Sequence, residues 1–254
     1  MMKRFCLLLL LCVPTFGLFA ACSSTTGSSS GGALPGDDGG TTDATATDAQ
    51  NNGASCTKAR EDLLVPINKV STGVVSVISD TGGTKTLYVD ASGGGTNNAI
   101  KNPRIYVDLE AGARVEVTDT TASESTAWDL ALKRDKIFTN GGDAGPGMGA
   151  AMVIDKTFSA VNAAEANGTA LVSEKFFDAD CNPQLDETQT VGTTFAGWYE
   201  YDQVTHIPTP KDLTYVVQGG TGKKYKVAIT SYQGLADGGT GQATAFYILK
   251  VSAL

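Results

Sequence analysis

Short apolar runs separated by glycine-rich turns fill the chain from residue 74 onward, and this pattern restricts the fold to one built from strands. Residues 74–78 and 86–89 are rich in β-branched and aromatic residues, and residues 80–83 between them form a turn cluster. A period of two places one face of a strand on a core, and turn residues between such runs favour hairpins. Residues 219–222, three of them glycine, predict a second hairpin turn.

Alternation at residues 105–109 continues beyond Ala111 and Gly112 at Val115 and Val117, which predicts a hairpin. The other predicted strands are residues 128–132, 152–154, 171–177, 198–201, 214–218, 225–231 and 243–251. The sequence therefore predicts an all-β antiparallel fold, either a sandwich or an open barrel.

Two segments interrupt the strand pattern. Residues 158–166 predict a short helix, because Asn167 and Gly168 would end it. Residues 58–70 fit either a short helix or an edge strand that carries Pro66.

The first 21 residues predict a lipoprotein signal peptide. Lys3 and Arg4 precede an apolar stretch, residues 5–19, that is too short to cross a bilayer comfortably. Residues 18–22 resemble a bacterial lipobox, so cleavage before Cys22 would leave that cysteine as an acylated N-terminus in the lipid bilayer. The alternative is an ordinary cleaved signal peptide with Cys22 nearby by chance.

Residues 22–55 predict a disordered tether, and residues 56–254 a single β-domain. Residues 22–55 consist almost entirely of Ser, Thr, Gly, Ala, Asp, Asn and Gln, so they bury too little apolar surface to offset the entropy of ordering. Ser23 resembles an outer-membrane sorting signal of Gram-negative lipoproteins. We therefore expect an outer membrane lipoprotein that faces the periplasm or the cell surface.

Cys56 and Cys181 are the two cysteines that remain in the predicted domain. In an oxidising compartment a disulfide between them is expected, with two buried free thiols as the alternative. The chain has 27 acidic against 19 basic residues and a net charge of −8, which argues against nucleic acid as a partner.

Several motifs resemble, in this order, one family, the HmuY-type haem-binding lipoproteins. The first is the Trp-Asp pair that opens residues 128–134, followed by Thr-Asn-Gly-Gly at residues 139–142. The others are residues 197–202, Thr205-His206, Pro210, residues 215–217 and residues 223–227. The resemblance covers roughly residues 70–250. It implies an all-β surface or periplasmic lipoprotein that captures haem and passes it to an outer-membrane uptake system.

Haem iron takes axial ligands such as a neutral imidazole, a thioether or a phenolate. His206 is the only histidine, so one chain cannot supply two imidazoles. With the resemblance in view, His206 is the candidate iron ligand, and Met148 or Met152 is a candidate second ligand. The candidate residues to cover the porphyrin are Trp198, Tyr199 and Tyr201. The alternatives are a hydrogen-bonded turn for His206, a tight turn between glycines for Met148, and burial in the core for Met152.

The motif residues also have structural interpretations. Trp128 is predicted to be a core anchor, and Asp129 to pair with Arg134 or Lys133 or to cap a turn. Residues 139–142 predict a turn in which Asn and Gly take positive φ, or else backbone amides that bind a haem propionate.

No nucleophile elbow, zinc signature or phosphate-binding loop is found, so we do not expect an enzyme. Two classes remain. One is a ligand-capture lipoprotein with haem as the ligand, and the other is a non-haem surface lipoprotein that uses the same scaffold to bind a protein or another small molecule.

Overall fold

A computed structural model describes residues 56–167, 170–186 and 189–254. The predicted signal peptide, Cys22 and the tether lie outside these residues. The elements are α1 (Thr57–Leu64), β1 (Val75–Thr81), β2 (Thr84–Asp90), β3 (Ile105–Asp108), β4 (Ala113–Arg114), α2 (Asp119–Ala122), β5 (Leu130–Lys133), β6 (Lys136–Thr139), β7 (Ala150–Ile154), α3 (Ala163–Asn167), β8 (Tyr199–Tyr201), β9 (Pro208–Pro210), β10 (Thr214–Gln218), β11 (Lys224–Ser231) and β12 (Phe246–Ala253). Two single 3-10 turns, Ala99–Lys101 and Phe158–Ala160, complete the set.

The strands form three sheets, and all pairings between these named strands are antiparallel. The largest sheet has the order β1-β2-β12-β11-β10-β7, the second β4-β3-β5-β6, and β8 pairs with β9 alone. Consecutive strands are mostly neighbours, which is how short turns connect antiparallel strands. The all-β antiparallel prediction is confirmed.

The main core lies between the six-stranded and the four-stranded sheet. Leu87, Val227 and Leu249 from the larger sheet belong to the same buried cluster as Val107 and Leu132 from the smaller one. Alternate residues of each strand face this layer because the side-chain period of a strand is two. The arrangement is a sandwich, one of the two predicted architectures.

A second buried cluster covers the outer face of the four-stranded sheet. It brings Ala131 and Phe138 from that sheet together with Trp128, Phe176 and the cysteine that precedes helix α1. The predicted disulfide between Cys56 and Cys181 is confirmed, with Cα atoms 5.3 Å apart across 125 residues of sequence. It attaches helix α1 to this aromatic layer.

Residues 171–177 were predicted as a strand and this is wrong. The amides of Phe176 and Phe177 donate to the Asp143 carboxylate at 2.6 and 3.1 Å instead of to a neighbouring strand. Only a single bridge, between Ala151 and Val172, joins this segment to the larger sheet.

The two less regular segments are helical. Residues 158–166 form a 3-10 turn followed by helix α3, and the entry segment takes the helical alternative as α1. Within the described residues, no helix combines the length and the apolar content that crossing a bilayer requires.

Candidate functional site

The β8–β9 hairpin carries the predicted iron ligand at its exposed end. Asp202 organises the connecting loop, since its carboxylate accepts hydrogen bonds from the amides of Val204 (2.7 Å) and Thr205 (3.1 Å). The same bonds, the one from Thr205 first, lower the pKa of Asp202. The amide of His206 donates to the Asp202 carbonyl at 2.8 Å, so the loop is fixed from both ends.

His206 adopts a left-handed backbone conformation with φ of 58°. Non-glycine residues rarely take this conformation, and it often occurs at functional sites. The Nδ1 atom lies 3.0 Å from the Tyr201 hydroxyl, and both side chains are exposed. The contact occupies Nδ1, so Nε2 is the ring nitrogen left to bind a ligand.

The three predicted aromatic residues have different environments. Tyr201 is 47% exposed, and its ring centroid lies 6.0 Å from that of His206. Tyr199 is half-buried. Trp198 is only 2% exposed and its indole N–H donates to the Asp135 carbonyl at 3.0 Å, so it is a core residue with no ring face open to a porphyrin.

Met148 is 50% exposed and lies beside the β10–β11 turn. Its amide donates to the Gly220 carbonyl at 3.0 Å, and its carbonyl accepts from the Gln218 amide group at 2.7 Å. The β8–β9 hairpin lies before the opposite end of β10, and the backbone amide of Lys211 donates there to the Trp198 carbonyl. Five residues of antiparallel strand span roughly 17 Å. The structure therefore does not bring Met148 and His206 together.

The Trp-Asp and Thr-Asn-Gly-Gly motifs build a buried hydrogen-bond network away from this hairpin. Trp128 is a core anchor as predicted, and its indole N–H donates to the Ala122 carbonyl at 2.9 Å. The buried Asn140 donates to the carbonyls of Ser125 (2.9 Å) and Trp128 (2.8 Å) and accepts from the amide of Gly147 (3.2 Å). These bonds join the loop before β5 to the loop after β6.

Asp129 is buried and joins the two large sheets at one end. Its carboxylate accepts from the amides of Leu109 (2.8 Å) and Gly220 (3.0 Å). The predicted pairing with Arg134 or Lys133 is wrong, and the other predicted alternative, a turn cap, is confirmed, because the backbone of two turns, one from each sheet, provides the donors. Burial raises the pKa of Asp129, and the two amide bonds oppose that rise.

Glu174 is a buried carboxylate that sequence reasoning missed. It accepts from the amide and hydroxyl of Thr139 (2.8 and 3.2 Å) and from those of Thr194 (2.9 and 2.6 Å). Burial raises the pKa of Glu174, against the effect of these bonds. Its segment looked like an apolar strand, and no local signal distinguishes such a carboxylate from a solvated one.

The turn at residues 139–142 is only partly as predicted. Gly142 takes positive φ (58°) whereas Asn140 does not. The amides of Asn140 and Gly141 donate to backbone carbonyls, and that of Thr139 donates to Glu174. Three of the four amides proposed for a haem propionate are therefore already bonded within the protein.

Two cavities open on other parts of the described chain. One, of about 460 Å³, lies at the end of the sandwich near Lys85, Lys223 and Tyr225. The other, of about 300 Å³, lies between helices α1 and α2 and is lined by Arg60 and Arg104 among others. His206, Met148 and the three predicted aromatic residues line neither of them.

The sequence model of the family described as HmuY protein matches residues 101–247, more than half of the chain. The chain belongs to the HmuY family. Membership confirms the resemblance inferred from the motifs and supports a ligand-binding protein of the cell envelope. No curated protein matches the sequence significantly.

Three solved structures are similar to this HmuY-family chain at low identity. A protein from Bacteroides fragilis described as a lipoprotein has 17% identity and a TM-score of 0.42, and the match covers 69% of this chain and 92% of that one. A protein from Bacteroides vulgatus described as HmuY-like and haem-binding has 20% identity and a TM-score of 0.42, and the match covers 70% of this chain and 96% of that one. An apo HmuY analogue from Tannerella forsythia has 15% identity and a TM-score of 0.40, with 72% and 98% covered.

Proposed function

We propose that this HmuY-family protein captures haem at the cell envelope and that His206 coordinates the iron. The observation that carries the proposal is the exposed imidazole whose Nδ1 is held by the Tyr201 hydroxyl at 3.0 Å. Histidines that bind metals typically have the second ring nitrogen hydrogen-bonded, because that bond fixes the tautomer and the ring orientation. Family membership supplies haem as the ligand class.

The chemistry requires a neutral imidazole. When Nδ1 keeps its proton and donates it to the Tyr201 oxygen, the Nε2 lone pair is available to iron. The left-handed backbone at His206 and the bonds to Asp202 hold the ring on the outside of the hairpin. Tyr201, whose ring is half-exposed, would help to cover a haem held by His206.

The proposal includes a location and two partners. An acylated Cys22 would anchor the chain in the outer membrane of a Gram-negative bacterium, facing the periplasm or the cell surface, and residues 22–55 would be the tether. The captured haem would pass to an outer-membrane uptake system.

A hemin titration tests the proposal on the chain from residue 22 onward, with Cys22→Ser so that no lipid is attached. We expect a Soret shift in the parent protein and its loss in His206→Ala. Thr209→Ala is the matched control, because Thr209 is an exposed residue of the same hairpin and should leave the spectrum unchanged. Tyr201→Phe should weaken haem binding by about tenfold or more, as loss of a partner that orients a ligand typically does. A His206→Ala spectrum identical to that of the parent would remove His206 from the site.

A further inference from the structure

The larger cavity lies at the end of the sandwich where the β1–β2, β3–β4 and β10–β11 turns come together. Its volume of about 460 Å³ is within the range of small-molecule sites. Lys85, Tyr225 and Val251 line it from three adjacent strands of the larger sheet, β2, β11 and β12. Leu109 and Glu110 line it from the β3–β4 turn of the smaller sheet. The cavity is therefore enclosed by both sheets.

Polar contacts join the turns on the two sides of this cavity. The buried Asp129 carboxylate accepts from the amides of Leu109 (2.8 Å) and Gly220 (3.0 Å), which belong to turns of different sheets. The Lys223 ammonium forms an ion pair with Glu110 across the same two turns. A ligand that enters does not have to order these turns, which lowers the cost of binding.

Tyr225 contributes a buried hydroxyl to the cavity wall. The residue is 4% exposed, and none of the described residues forms a hydrogen bond with its hydroxyl. Burial raises the pKa of Tyr225, and the nearby carboxylates of Asp129 and Glu110 raise it further, so the hydroxyl keeps its proton. A buried hydroxyl without a partner is costly. The group is therefore a donor that a ligand in the cavity can satisfy.

The apolar part of the lining is mainly aliphatic. Leu109 and Val251 are 1% and 2% exposed and belong to the main core, and Ala253 continues the same face of β12. Tyr225 is the one aromatic residue among those that line the cavity. Such a lining suits a flexible hydrocarbon chain, which can fill an irregular space between two sheets.

The charged part of the lining is mainly basic. Lys85, Lys223 and Lys224 line the cavity with one acidic side chain, Glu110. Positive charges remain in excess when the carboxylate of Leu254 is counted as well. Within the part of the chain that the structure describes, Lys224 forms no ion pair. The whole chain has a net charge of −8, so this end of the sandwich attracts anions more than the rest of the protein does.

We propose that this cavity binds an amphiphile with a single aliphatic chain and an anionic head group, such as a fatty acid. The chain lies against Leu109 and Val251. The head group accepts a hydrogen bond from the Tyr225 hydroxyl and pairs with the lysines. The residues involved are separate from the β8–β9 hairpin, so the inference does not rest on the proposed function.

Calorimetric titration with decanoate, below the concentration at which it forms micelles, tests the ligand class. The protein is the chain from residue 22 onward that carries Cys22→Ser. We expect one decanoate per chain and a rise in Tm. Each methylene that is buried tightens binding by about fourfold, so octanoate should bind about tenfold more weakly. Decan-1-ol, which has the same chain without the charge, should also bind at least about tenfold more weakly.

Substitutions in the wall test the location. Tyr225→Phe keeps the ring and removes the hydroxyl, so decanoate affinity should fall by about threefold to tenfold. The matched control is Tyr88→Phe on β2, outside the lining, which should leave the affinity unchanged. Ala253→Phe should abolish binding, because Ala253 lies opposite Tyr225 in the cavity wall. The fold should tolerate this change since Ala253 is exposed.

Substitution of lysines tests the head group. Replacing Lys85 and Lys224 together by glutamine should weaken decanoate binding by about fivefold or more and leave decan-1-ol binding unchanged. Lys250→Gln is the control, because Lys250 is exposed on β12 and does not line the cavity.

Three outcomes would overturn the inference. The first is neither heat nor a rise in Tm with decanoate, and the second is equal affinity for decanoate and decan-1-ol. The third is parent-like decanoate binding in both Tyr225→Phe and Ala253→Phe, which would place the ligand elsewhere. The hemin titration of Ala253→Phe should match that of the parent, so a failure here leaves haem capture to be judged on its own test.

Discussion

Replacement of Asp129 by alanine tests whether this buried carboxylate holds the two sheets together. It accepts hydrogen bonds from Leu109, which follows β3 in the smaller sheet, and from Gly220, which follows β10 in the larger one. Asp129→Ala leaves both amides without an acceptor in a place that water does not reach easily, because Asp129 is buried.

The expected loss follows from the cost of the two unsatisfied donors. A buried backbone N–H that loses its partner costs about 1–3 kcal/mol. The loss is partly offset, since removing the carboxylate also removes the cost of burying it, and that cost is what raises the pKa of Asp129. We therefore expect the free energy of unfolding to fall by about 2–4 kcal/mol at pH 7.

Urea denaturation of the parent, Asp129→Ala and a control variant, Asp237→Ala, measures this difference. The exposed Asp237 carboxylate also accepts a hydrogen bond from a backbone amide, that of Gly239 at 2.8 Å. Water can replace the Asp237 carboxylate as the acceptor because the site is exposed. The control should change stability by less than about 0.5 kcal/mol. A loss below about 1 kcal/mol in Asp129→Ala, with an unchanged denaturant slope, would refute the reasoning.

The pH dependence provides a second measurement on the same residue. The pKa of Asp129 is raised in the folded protein, so the folded state binds more protons than the unfolded state once the pH exceeds the ordinary value of about 3.9. Stability from this group therefore falls as the pH rises through the window between the ordinary and the raised pKa. Asp129→Asn should lack this slope. Because Glu174 contributes in the same direction in both proteins, the difference between the two curves isolates Asp129.

Two further substitutions test the packing of the motif loop and the disulfide. A Cβ at Gly141 would overlap the backbone of Gly149, so Gly141→Ala should lower the free energy of unfolding by about 1–3 kcal/mol or more. The control is Gly192→Ala, which should leave the free energy of unfolding unchanged because no atom lies within 4 Å of the added Cβ. Equal losses in the two variants, measured by urea denaturation, would contradict this. Replacing both Cys56 and Cys181 by serine should cost about 2–5 kcal/mol, and an unchanged Tm by calorimetry would show that the disulfide does not stabilise the fold.

Much of the fold could be predicted because its signals are local. The hairpin after β3 and the pair β10–β11 follow from alternation and from glycines in the turns between the strands. The return strand of the first hairpin was predicted at Val115 and Val117, whereas β4 ends at Arg114. The disulfide followed from counting cysteines, and the family from the order of a few motifs. Each of these inferences needed only neighbouring residues or the composition of the chain.

The contacts that give the motifs their roles could not be predicted. Asp129 meets Gly220 across 91 residues of sequence, and Glu174 meets Thr139 across 35. A carboxylate in a buried network and one on a solvated surface look alike in the sequence. Residues 171–177 failed as a strand for the same reason, since the Asp143 side chain that binds their backbone is remote in sequence.

The sequence alone determined that this is an antiparallel β-protein and that one histidine limits the ligands it can offer to iron. The two-residue alternation of apolar side chains and the turn residues determine the strand fold, and the presence of a single histidine limits the iron ligands. Only the tertiary structure decided that Trp198 packs in the core, that His206 is exposed beside Tyr201, and that Met148 lies at the other end of β10. The physical reason is that alternation shows which side chains share a face, whereas burial and proximity depend on which distant segment covers that face.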